Sequence, residues 1–176
     1  NTGEELWRFK ADAEFFESFP KIKDGVLYIG NYDGNMYALD VRKKELLWKY
    51  KTGGEIISPP AIDEGVVYFG SRDGFTYALN AKTGESIWRF QTGDWIASCP
   101  AVYNGMVFIG AFNGYMFALD KETGNEIWRY KTGGEVYNVN DLLILDGRIY
   151  VPSLDGYLYI LNTENGTEIK RTKLGK

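Results

Sequence analysis

The chain has no histidine and a single cysteine, Cys99, among its 176 residues. Without histidine there can be no Ser–His–Asp or Cys–His nucleophilic arrangement, and most zinc sites lose their usual ligand. A lone cysteine cannot close an internal disulfide. Its place in the apolar segment IASCPAVY, read as an inner strand, predicts a small buried hydrophobe rather than a reactive thiol. No apolar run approaches the roughly 18 residues that a membrane-spanning helix needs. Neither a phosphate loop nor a dinucleotide fingerprint is present. Basic residues (20) are outnumbered by acidic ones (24), giving a net charge of −4 and a pI near 5.0. Nucleic acid and anionic membrane are therefore poor partners. The sequence also shows neither a signal peptide nor an initiator methionine, which leaves the compartment open.

What the chain does have is a repeat. The segment from Gly25 to Asp40 returns from Gly65 to Asn80, from Gly105 to Asp120 and from Gly147 to Asn162. Between the copies a second phrase recurs around Trp48, Trp88 and Trp128, at a spacing of 40, with Trp7 one residue out of phase. A unit of this length that cannot bury its own apolar face implies a solenoid or propeller.

Within each unit the hydrophobic pattern has the period of two that strands require. In VVYFG both faces are apolar, so that strand should be covered on both sides. Asp33-Gly34, Asp73-Gly74, Asn113-Gly114 and Asp155-Gly156 read as two-residue type I′ hairpin turns. A second turn at Thr83-Gly84 or Thr123-Gly124 leads to the tryptophan strand, where aromatics alternate with Arg and Lys. The aromatic side should pack between blades, and the charged side should face water and protect an edge. A further strand precedes these three, and Pro60 and Pro100 belong at its start. The expected fold is all-β, a β-propeller of four-stranded antiparallel blades. One domain over 1–176 divides into blades at about 11–51, 52–91, 92–131 and 132–173, with an extra N-terminal strand at 4–10.

Ala118, Asp120, Gly124 and Trp128, in ALDKETGNEIW, match the tryptophan-docking motif, and on these residues the chain resembles the pyrroloquinoline-quinone-like (PQQ-like) β-propeller repeat family. Ala78, Asn80, Gly84 and Trp88 match it with Asn for Asp. Ala38, Asp40 and Trp48 match it with Lys44 in place of glycine. The resemblance implies that each tryptophan docks onto the neighbouring blade, and that rings usually have seven or eight blades. The fourth copy departs, with Lys170 at the tryptophan position, Thr172 at the following aromatic one and Ile160 for the motif alanine. The family also implies an extracytoplasmic location. Three functions follow: a non-catalytic ligand- or protein-binding scaffold, a fragment of a quinoprotein dehydrogenase, or a carbohydrate-binding or adhesion module. The dehydrogenase would need a calcium-binding acid cluster around the quinone, and in many members adjacent cysteines. One cysteine and no such cluster predict that neither PQQ nor calcium is bound.

Function in a repeat protein is carried by residues that break the repeat. At one hairpin phase stand Tyr32, Arg72, Phe112 and Leu154, different in kind. Glu17 and Tyr137 stand opposite Ile57 and Ala97. Asn138, followed by Asn140 and Asp141, replaces the Ser of the other copies, and Trp95 replaces a glutamate. The candidate site is Glu17, Tyr32, Arg72, Trp95, Tyr137, Asn138, Asn140 and Asp141, suited to a protein, peptide or carbohydrate on one propeller face. The recurrent acids Asp33, Asp73, Asp155, Glu55 and Glu135 read as turn formers. Five tryptophan-type strands against four sets of the other three predict that residues 4–10 add to the blade of residues 136–162. Within the chain this closes a four-bladed ring, and between two copies it gives an eight-bladed homodimer. The final Lys173-Leu174-Gly175-Lys176 mimics the phrase that elsewhere leads into a new blade, which points to a piece of a longer propeller.

Overall fold

A computed structural model describes residues 3–15, 19–137 and 142–174. Blade 1 is the sheet β1 (Lys21–Lys23), β2 (Val26–Gly30), β3 (Asn35–Asp40) and β4 (Glu45–Lys51), paired in that order. Blade 2 repeats it as β5 (Ala61–Asp63), β6 (Val66–Gly70), β7 (Phe75–Asn80) and β8 (Ser86–Gln91). Blade 3 is β9 (Ala101–Tyr103), β10 (Met106–Gly110), β11 (Tyr115–Asp120) and β12 (Glu126–Lys131). Blade 4 is β13 (Leu143–Leu145), β14 (Arg148–Pro152), β15 (Tyr157–Asn162) and β16 (Glu168–Lys173). All pairings are antiparallel, and the described residues contain no helix. Pro60 and Pro100 immediately precede their inner strands, where the missing N–H costs no ladder bond. Cys99 lies just before β9 rather than in it, and is buried.

The type I′ turn sits one hairpin earlier than expected. Asp24-Gly25, Glu64-Gly65, Asn104-Gly105 and Asp146-Gly147 all have positive φ at both residues and join the first two strands of each blade. Asp33, Asp73, Asn113 and Asp155 do not have positive φ. Their hairpins are four-residue loops closed by the glycine N–H on the carbonyl three residues back, as Gly34 does on Asn31 at 3.1 Å. The glycine alone takes the left-handed conformation there.

Buried side chains form three clusters, between blades 1 and 2, 2 and 3, and 3 and 4. Each is locked by a tryptophan. Trp48, Trp88 and Trp128 lie on the following blade's Gly84, Gly124 and Gly166, and their indole N–H groups donate to the carbonyls of Ala81, Lys121 and Thr163, each at 2.9 Å. All three indoles are 8% exposed. Lys and Arg on the same strands face outward.

The N-terminal segment corrects one expectation. Residues 4–10 form no strand and do not join blade 4. They run along blade 1, with Phe9 against Tyr37 at 5.5 Å between ring centroids and the Leu6 carbonyl accepting from Lys44 Nζ at 3.0 Å. Phe9 repeats the contacts of Tyr50 with Tyr77, Phe90 with Phe117 and Tyr130 with Tyr159. The segment thus takes the place of an outer strand preceding blade 1, without inner strands to pair with. Among the described residues no buried cluster joins blade 4 to blade 1, so the chain by itself does not close a four-bladed ring. Ile22 of β1 and Leu143 and Leu145 of β13 are exposed, whereas β5 and β9 are half-buried throughout.

Thr76 carries a stability prediction. Its hydroxyl is buried without a hydrogen-bond partner, at the phase where the other blades have Met36, Met116 and Leu158. Burying an unpaired hydroxyl costs about 1–3 kcal/mol. Thr76→Val keeps the shape and removes that cost. The urea midpoint should rise by an amount equivalent to about 1 kcal/mol, and an unchanged or lower midpoint refutes the assignment.

Candidate functional site

The β2–β3 type hairpins of all four blades emerge on one face, and each is bolted to the connection that enters its blade. Arg72 N–H donates to the Glu55 carbonyl, Phe112 to Trp95 and Leu154 to Glu135, all at 2.9–3.0 Å, and Tyr32 to Glu14 at 3.3 Å. Below these residues the hairpin acids are fully engaged. Asp73 accepts from Tyr77, from Phe75 N–H and from Gly53 N–H of the incoming connection. Asp33 and Asp155 accept likewise from Tyr37 and Tyr159. Burial alone would raise the Asp33 carboxyl, but hydrogen bonds from Tyr37, Asn31 and Asn35 outweigh it and hold the group below the usual range. Burial first, then the bond to the carboxylate, pushes the Tyr37 and Tyr77 hydroxyls above the usual phenol range. These acids are the turn formers that their periodicity indicates, and they are committed to the scaffold.

On this rigid base the repeat-breaking side chains meet. The Arg72 guanidinium lies 5.7 Å from the Tyr32 ring centroid and 5.1 Å from that of Trp95, with Glu55 3.6 Å away. The Trp95 ring is 6.2 Å from Phe112, which meets Tyr137 edge-on at 5.4 Å. Tyr32, Arg72, Trp95, Phe112 and Tyr137 therefore form one ladder from the hairpin of blade 1 to the connection that enters blade 4. Trp95 is 51% exposed, so its ring is offered to solvent despite its neighbours. Leu154, next along the hairpin row, is 64% exposed.

Of the eight sequence-derived candidates, the structure brings Tyr32, Arg72, Trp95 and Tyr137 together. Glu17, Asn138, Asn140 and Asp141 lie outside the described residues. Two further residues complete the cluster. Phe112 bridges Trp95 to Tyr137, and its signal was its shared phase with Tyr32 and Arg72. Glu55, read only as a turn former, is the Arg72 counter-ion, and no sequence pattern distinguishes it from Glu135.

Other openings differ in character. A groove of about 360 Å³ along the inner strands is lined by Lys21, Ile22, Pro60, Ile62, Pro100 and Val102 among others. A cleft of about 930 Å³ lies on the opposite face between blades 1 and 2. Ala81 stands there at the phase of Lys121, which at the next junction bridges to Glu64 and Asp63 at 2.6 and 3.0 Å. Calcium takes six to eight oxygen ligands. Among the described residues no three His, Cys, Asp or Glu converge to hold a metal ion.

Comparison with known proteins adds the following. The family model described as outer membrane protein assembly factor BamB matches residues 1–98 and 77–171. The crystal structure of BamB from Moraxella catarrhalis superposes with a TM-score of 0.77 at 24% identity, over 89% of this chain and 49% of that one. The quinohemoprotein alcohol dehydrogenase ADHIIG of Pseudomonas putida HK5 superposes with a TM-score of 0.75 at 23% identity, over 88% and 33%. The quinoprotein alcohol dehydrogenase PedE of Pseudomonas putida strain KT2440 is 32% identical over 59 residues, 34% of this chain and 9% of that protein. The chain thus spans about half of BamB and a third or less of the dehydrogenases.

Proposed function

Since the chain belongs to the PQQ-like β-propeller repeat family, we propose that it is a non-catalytic binding module that takes a protein partner on its hairpin face. The observation that carries this reading is the ladder from Tyr32 to Tyr137, assembled from side chains that break an otherwise regular repeat. An exposed tryptophan among half-buried aromatics and an arginine, held on a rigid base, presents the residue types that dominate protein interfaces. The hairpin carboxylates Asp33, Asp73 and Asp155 are held by tyrosines and turn N–H groups, so these three are committed to the scaffold rather than poised as a general acid or base. A relative named as an assembly factor agrees with the reading and carries with it a location outside the cytoplasm.

The dehydrogenase reading draws on the similarity to PedE and ADHIIG, of which this chain covers a third or less. Titration with PQQ and calcium, followed by quinone absorbance and dye-linked alcohol oxidation, separates the two. No saturable spectral change and no oxidation are expected. A calcium-dependent quinone spectrum that saturates at one equivalent overturns the binding-module reading.

A further inference from the structure

We propose that the occupant of the ladder is an extended, cationic peptide segment, whose arginine or lysine side chains enter beside Trp95. This rests on the reading of the hairpin face as a protein-binding surface. The connections entering the four blades carry Glu14, Glu55, Trp95 and Glu135 at one phase, each bonded through its carbonyl to a hairpin residue, with Asp94 beside Trp95. The face therefore presents a carboxylate at every blade junction, running parallel to the row Tyr32, Arg72, Phe112 and Leu154.

Arg72 already displays the chemistry this surface favours. Its guanidinium sits between two aromatic rings and against one carboxylate, the combination that binds cations best at a protein surface. One junction further along, rings and carboxylates recur, and among the described residues no cation besides Arg72, on Trp95, stacks on those rings. Trp95, Phe112 and Tyr137 supply the rings, and Asp94 and Glu135 make no ion pair among the described residues. Lys131, the nearby basic residue, is tied to the Asn113 carbonyl and the Tyr115 ring. A depression of about 260 Å³, lined by Arg72, Asp73, Gln91, Asp94 and Trp95, opens beside the indole on the Arg72 side, not on the side of Phe112 and Tyr137. The described basic side chains that reach these hairpins are already engaged, Arg72 by Glu55 and Lys51 and Lys131 by the Asp33 and Asn113 carbonyls, which leaves an acidic partner little to meet.

The test uses three probes with the whole chain: fluorescein-labelled Gly-Arg-Gly-Arg-Gly-Arg, its Glu counterpart and cellohexaose. Anisotropy and tryptophan fluorescence should show saturable binding of the Arg peptide alone, weakening as salt rises. Trp95→Ala and Asp94→Asn should each lower affinity about tenfold, the size of one lost cation–π or charge-assisted contact. A control variant on the opposite face, Asp24→Asn with Glu122→Gln, should bind as the parent does. Melting curves establish that the variants are folded. Binding that falls equally in the control is diffuse attraction to an acidic protein and overturns the proposal. Binding of the Glu peptide or cellohexaose, lost in Trp95→Ala, keeps the ladder as a binding site but refutes the cationic occupant. No binding of the Arg peptide refutes it as well.

Discussion

Trp88→Ala is expected to destabilise the chain by about 3–5 kcal/mol, the range for truncating a large buried aromatic. The indole fills the gap between blades 2 and 3, packs on Gly124 and Tyr68, and donates to the Lys121 carbonyl. Its loss removes apolar burial, leaves a cavity against the glycine and strips a half-buried carbonyl of its donor. Because each blade contacts only its neighbours, the damage should concentrate at one junction. Urea unfolding should then separate into two steps, blades 1 and 2 against blades 3 and 4, where the parent shows one. Trp128→Ala should behave alike at the next junction. Trp95→Ala, at an exposed position, should move the midpoint by the equivalent of about 0.5 kcal/mol or less. Equal losses at Trp88 and Trp95 would mean that docking does not hold the blades together.

Gly124→Ala should cost about 3 kcal/mol, although it adds a single methyl group. Two costs combine, since φ is +72° and a Cβ would lie 2.6 Å from the Trp88 ring. The left-handed conformation costs a side-chain-bearing residue about 1–2 kcal/mol, and overpacking the core about 1–3. The chain contains its own counterpart. Lys44 holds the docking-glycine position of blade 1 with φ at 61°, and Trp7, which would dock there, is only half-buried. Lys44→Gly should therefore stabilise by about 1 kcal/mol through relief of backbone strain, with loss of the Leu6 hydrogen bond as a small offset. Thermal or urea midpoints read both effects. A destabilising Lys44→Gly would show that the lysine contact outweighs the strain.

The repeat alone determined the four blades, their four-stranded antiparallel order, the docking tryptophans and the outward Lys and Arg, because these depend on local periodicity and on contacts that recur at each junction. Side chains that break the repeat were visible as such, so Tyr32, Arg72, Trp95 and Tyr137 could be named from their phase. That Arg72 is clamped between Tyr32 and Trp95, with Phe112 and Glu55 completing the set, was decided only by tertiary structure. These residues are some forty positions apart and meet only when neighbouring blades pack side by side. The same holds for the turns and the N-terminus. Asp-Gly suits either a two-residue or a four-residue hairpin, and strand register, not the dipeptide, chooses between them. Residues 4–10 have the pattern of a strand, but a strand exists only where a partner strand offers its backbone, and blade 4 has already filled its outer edge with β16.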